Sequence, residues 1–65
     1  MKTYLDMLRD LREDNDYTQK EIANVLGTTQ QMYSRYENGE IELPIRHLIT
    51  LCKFYNVTPN DILRF

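Results

Sequence analysis

The 65-residue chain has no tryptophan, one cysteine and one histidine, and only two glycines and two prolines. A single thiol, Cys52, excludes an intramolecular disulfide and a cysteine-based zinc site. His47 has no second histidine to share a metal. No stretch approaches the roughly 20 apolar residues of a membrane-spanning helix. The opening MKTYLDMLRD carries charges throughout and no apolar run, which does not fit a signal peptide. A cytoplasmic protein without a membrane partner is expected. There is no glycine-rich phosphate loop, no serine–histidine–acid set and no pair of carboxylates in an apolar setting, so no enzyme is expected. A domain this short buries only about 60% of its unfolded surface. That leaves little room for an enclosed pocket, and neither a cofactor nor a small-molecule ligand is expected. Positive charge is also scarce: the formal net charge is −2. Phosphate contacts supply most non-specific nucleic-acid affinity, so the sum alone points away from nucleic acid. The distribution does not: acids cluster at Glu13, Asp14 and Asp16 and at Glu40 and Glu42, while Thr28 to Tyr36 holds none.

What is present is helical patterning over one domain, residues 1–65. Three Thr-x-x-acid boxes mark helix starts: Thr3 with Asp6, Thr18 with Glu21, Thr58 with Asp61. The first helix covers about 3–14, with Leu5, Leu8, Leu11 and Arg12 on one side, and ends in the polar run 13–16. The second runs from cap Thr18 to Leu26, with Ile22 and Leu26 inward, and Gly27 stops it. The third starts at Thr28 or Thr29 and runs to Asn38, before Gly39. Pro44 suits the first turn of a fourth helix reaching about Tyr55, with Ile45, Leu48, Leu51, Cys52 and Tyr55 inward and Asn56 closing it. A short fifth helix follows Thr58, with Pro59 in its first turn and Ile62 and Leu63 as anchors.

Residues 18–38 carry the functional signal. Two helices joined by a turn of about three residues containing glycine form a helix-turn-helix. Ala23 is small where the helices approach, and Gly27 supplies the positive φ of the turn. At about 100° per residue, one face of the third helix gathers Gln30, Gln31, Ser34, Arg35 and Asn38, and the other gathers Tyr33, Tyr36 and Glu37. A polar face can simply be solvated, but solvated faces usually mix glutamate and lysine. An acid-free face of amides suits the major groove, where glutamine pairs with adenine and arginine with guanine. If Thr28 caps the helix, Gln31 becomes its box partner and leaves that face. Arg12 shares a face with Leu5 and Leu8, and Glu37 shares one with Tyr33. Two opposite charges on inward faces are expected to meet, because an unpaired buried charge is costly.

The stretch L-R-E-D-N-D-Y-T-Q-K-E-I-A-N-V-L-G-T-T-Q-Q-M-Y-S-R-Y-E-N-G, residues 11–39, resembles the Cro/CI-type (XRE) helix-turn-helix family of phage repressors and bacterial regulators. The tail P-I-R-H-L-I-T-L-C-K-F-Y-N-V-T-P-N-D-I-L, residues 44–63, is similar to it as well. The resemblance implies an all-α, compact five-helix, lambda-repressor-like domain whose third helix enters the major groove of double-stranded DNA. It implies base contacts from Gln30, Gln31, Ser34 and Arg35, and phosphate or positioning roles for Thr18, Gln19, Lys20, Thr29 and Asn38. It also implies the Arg12–Glu37 bridge between the first and third helices. Where many relatives carry basic residues after Y-E-N-G, this chain has Glu40, Ile41 and Glu42. The expected activity is sequence-specific transcriptional regulation, as a repressor, at a pseudo-palindromic operator. An antitoxin-like or adaptor module that binds protein instead is the competing expectation.

Arg35 and Lys20 are the only cations between residues 13 and 45, so one chain alone offers few phosphate contacts. A homodimer is expected, through Tyr55, Val57, Ile62, Leu63 and the terminal Phe65. Cys52 reads as a buried inert thiol and His47 as a surface residue off the apolar stripe. Tyr17, Tyr33 and Tyr36 read as core residues with hydroxyls at the surface. Met1 and the fit to five helices suggest a complete chain.

Overall fold

A computed structural model describes residues 3–63. Five helices follow in order: α1 Tyr4–Asp14, α2 Gln19–Leu26, α3 Gln30–Glu37, α4 Ile45–Tyr55 and α5 Pro59–Leu63, with no strand among the described residues. All three threonine boxes form. The Thr3, Thr18 and Thr58 hydroxyls accept from the backbone N–H of Asp6, Glu21 and Asp61 at 3.2, 3.1 and 3.2 Å, and each acid accepts the threonine's own N–H. Each box satisfies two otherwise unpaired donors at a helix start. Thr29, not Thr28, caps α3, accepting from Met32 N–H at 3.1 Å, so Gln31 is not a box partner.

Four helices close with one device. A left-handed residue is followed by an N–H that reaches back to the carbonyl five residues earlier. The left-handed residues are Asp16, Gly27, Gly39 and Asn56, with φ of 59°, 71°, 78° and 58°. The closing bonds are Tyr17 to Arg12, Thr28 to Ala23, Glu40 to Arg35 and Val57 to Cys52, at 3.0, 2.9, 2.9 and 2.9 Å. Glycine takes this backbone freely, and aspartate and asparagine tolerate it better than other residues.

The core comprises Leu8, Ile22, Ala23, Tyr33, Tyr36, Leu43, Leu48, Leu51, Cys52 and Ile62. Helix α4 departs from expectation at three positions. Pro44 is its N-cap rather than a residue of its first turn. Ile45 is 69% exposed, not inward. Helical side chains lean toward the N-terminus, so a first-turn residue projects past the helix end; Leu43, from the loop before it, is buried instead. His47 is buried rather than on the surface, with its ring 5.7 Å from that of Tyr36 on α3. Burial, and then the charge of Arg46, hold its imidazole below the usual histidine pKa. Cys52 is buried, and burial raises its thiol pKa. Tyr17 is only half-buried, its ring 5.1 Å from Phe54 and 6.5 Å from Tyr55. No helix among the described residues is long and apolar enough to cross a membrane.

Candidate nucleic-acid interface

The helix-turn-helix occupies 18–38. Ala23 is buried where α2 meets α3, and Gly27, Thr28 and the cap Thr29 form the connecting turn. A Cβ at Gly27 would meet nothing within 4 Å, so glycine is required by the backbone angle and not by crowding. With the turn fixed, Tyr33, Tyr36 and Glu37 bury one face of α3 and the opposite face points to solvent.

An open concavity of about 410 Å³ lies against that outward face, lined by Gln19, Gln30, Gln31, Ser34, Arg35 and Glu40. The four side chains expected to read bases are therefore together, and Gln19 from α2 joins them. Gln30, Gln31 and Arg35 are exposed and Ser34 is half-buried. Thr18, Lys20, Thr29 and Asn38 do not line the concavity; all four are exposed. The cap hydroxyls of Thr18 and Thr29 act as acceptors, which leaves their O–H protons able to donate outward. Asn38 Nδ2 donates to Glu40 Oε2 at 3.5 Å. Glu40 was not among the residues expected at this surface. Its nearness to the glycine closing α3 was the available signal, because the turn at Gly39 folds residue 40 back beside the helix.

Behind the outward face sits the charged pair. Arg12 Nε and Nη2 donate to Glu37 Oε2 and Oε1 at 3.0 and 2.9 Å, and Nη1 donates to the Tyr17 carbonyl at 2.9 Å. The side chains are 12% and 3% exposed. Gln19 Nε2 also donates to Glu37 Oε1, at 3.4 Å. Burial alone would push the Glu37 carboxyl up. Hydrogen bonds from Arg12, Tyr33 and Gln19 and the Arg12 charge outweigh it and hold the carboxyl below the ordinary range. The hydrogen bond to Glu37 likewise raises Arg12 above its ordinary value. The Tyr33 hydroxyl thus faces Glu37 inside the domain rather than reaching the surface, and burial followed by the Glu37 charge raises its pKa. The network ties α1 to the last turn of α3 and to the first residue of α2, so it fixes the pose of the outward face.

The expected dimer residues are scattered in burial. Ile62 is 2% exposed and already spent on the monomer core. Tyr55, Val57 and Leu63 are half-buried. The Tyr55 hydroxyl is buried without a hydrogen-bond partner, and burial pushes its pKa up to about 12. Phe65 lies outside the described residues.

The Helix-turn-helix family model matches residues 8–62. The chain is 38% identical over 50 residues to the cryptic phage CTXphi transcriptional repressor RstR of Vibrio cholerae, covering 77% of this chain and 45% of that protein. It is 34% identical over 55 residues to the antitoxin PezA of Streptococcus pneumoniae, covering 85% of this chain and 35% of that protein. It is 30% identical over 59 residues to the prophage-derived HTH-type transcriptional regulator YonR of Bacillus subtilis, covering 91% and 55%. The chain thus spans between about a third and just over half of the length of these relatives. No solved structure matches at a significant level. Motif, turn geometry and a family match from α1 to α5 agree: the chain belongs to the helix-turn-helix family, of the Cro/CI (XRE) type.

Proposed function

We propose that this chain binds double-stranded DNA sequence-specifically and regulates transcription, as a repressor, with α3 in the major groove of each half of a pseudo-palindromic operator. One observation carries the reading: the solvent-facing side of α3 is free of acids and presents two amides, a hydroxyl and a guanidinium together. Gln30 and Gln31 suit adenine, or orient one another, and Arg35 suits guanine or a nearby phosphate. Ser34 completes the base-facing set. Thr18, Gln19, Lys20, Thr29 and Asn38 stand where phosphates would flank α3, with Gln19 at the positive end of α2. A homodimer doubles a thin set of phosphate contacts and presents two α3 helices about 34 Å apart, one DNA turn. The names of RstR and YonR support regulation.

A second reading, a protein-interaction module, is favoured by Glu40, which sets a carboxylate in the same concavity. Selection from random duplex DNA decides between them. Enrichment of one motif, with affinity that falls steeply with salt, supports DNA reading. No enrichment, alongside salt-insensitive binding to a protein partner, supports the second.

A further inference from the structure

One carboxylate stands in a surface otherwise made of amides, a hydroxyl and a guanidinium. Among the described residues lining the concavity, Glu40 is the sole acid and the sole one outside a helix. Its backbone is fixed all the same. Gly39 turns the chain back with a φ of 78°, and the N–H groups of Glu40 and Ile41 both donate to the Arg35 carbonyl, at 2.9 and 3.4 Å. One anchored turn thus brings Glu40 beside Arg35 in the same concavity. The carboxylate is also unspent. Among the described residues it has no ion-pair partner. Its Oε2 accepts from Asn38 Nδ2 at 3.5 Å, which is long for a hydrogen bond, and Oε1 has no donor among the described residues.

An ionised carboxylate can only accept, whereas the neighbouring amides and hydroxyl both donate and accept and the guanidinium only donates. In the major groove that difference singles out one base. Cytosine offers its N4 amino donor with no acceptor beside it. Adenine sets N7 next to its amino group, and guanine and thymine offer acceptors to any group at that edge. A phosphate is refused as well, by like charge. We propose that Glu40 is a further specificity-determining residue: Oε1 accepts from N4 of a cytosine facing the C-terminal end of α3, and the charge disfavours duplexes that present an acceptor there. This role rests on the DNA-binding reading above and deepens it. The carboxylate that thins non-specific binding then becomes a source of discrimination, because refusing wrong partners raises specificity as much as holding the right one.

The test compares the parent with Glu40→Gln and Glu42→Gln. Each variant removes one negative charge from the same loop, and both side chains are exposed, but Glu42 does not line the concavity. All three proteins are titrated at fixed salt against the selected operator, its single-base variants and a non-operator duplex. Glu40→Gln is expected to lose a cytosine preference at one base pair per half-site, worth about tenfold or more for a hydrogen bond to a charged group. It is also expected to bind the non-operator duplex more tightly than the parent does. Glu42→Gln is expected to keep every base preference. A Glu40→Gln protein that keeps every base preference overturns the proposal, as does one that gains on all duplexes alike. So does loss of the same cytosine preference by Glu42→Gln. A parent that selects no motif overturns the DNA-binding reading and this role with it. A parent that selects a motif which Glu40→Gln reads unchanged overturns this role alone.

Discussion

Replacing Arg12 with alanine tests the packing of α1 against α3 most severely. The change removes two charge-assisted hydrogen bonds, at 2.9 and 3.0 Å, from a Glu37 side chain only 3% exposed. It also strips the Tyr17 carbonyl of its donor. Tyr33 and Gln19 still donate to Glu37, but neither carries charge. Leaving one partner of a buried pair uncompensated costs about 3–5 kcal/mol. A chain of 65 residues has a total stability of about 3–10 kcal/mol at roughly 0.05–0.15 kcal/mol per residue. Arg12→Ala is therefore expected to lower the melting temperature by about 12 °C at the least, at about 4–8 °C per kcal/mol. Replacing both partners, as Arg12→Met with Glu37→Leu, costs less than either single change, because no charge remains buried alone. Circular-dichroism melts with urea titrations measure all of these. An Arg12→Ala protein that melts within two or three degrees of the parent would refute the reasoning, as would a double variant less stable than either single.

Further expectations follow from single positions. Glu37 has a folded pKa below its unfolded value of 4.5, so its stabilisation is full above that pH and is lost as the pH falls through the lower folded value; acid urea titrations of parent and Glu37→Gln should converge there. His47 is also depressed from 6.5, but as a base: the parent loses stability as the pH drops below that value, while His47→Gln stays flat over the same window. Leu51→Ala should cost about 2–5 kcal/mol, whereas Ile45→Ala in the same helix should stay within about 0.5 kcal/mol. Gly27→Ala should cost about 1–2 kcal/mol through its positive φ alone, and Gly27→Asn less, measured by the same titrations.

What could be seen in the sequence was local chemistry or strict spacing. A threonine three residues ahead of an acid carries its own cap, so Thr3, Thr18 and Thr58 were legible before any packing was known. Gly27 and Asn56 end their helices through their own backbone preferences. The outward face of α3 was legible because four residues at helical spacing share one chemistry. Other features depend on what a neighbouring element does. His47 is buried with Tyr36 of another helix against it, and Ile45 is exposed because the helix begins at that residue. Tyr55 was legible as an inward residue of α4, but nothing in the sequence signals that its hydroxyl ends buried without a hydrogen-bond partner. Glu40 was legible as an acid in the loop after Gly39, but its place in the concavity depends on how that turn folds back.

The central claim is that α3 reads bases, and its most direct test compares two variants on one panel. After selection has given an operator, parent, Gln30→Ala and Lys20→Ala are titrated at fixed salt against duplexes carrying every single-base change. A good bidentate contact discriminates by about 1–3 kcal/mol. Gln30→Ala should therefore lose its preference at one base pair per half-site and keep the rest. Lys20→Ala should weaken every duplex alike and flatten the salt dependence by about one unit. A uniform loss across the panel for Gln30→Ala would contradict base reading by α3.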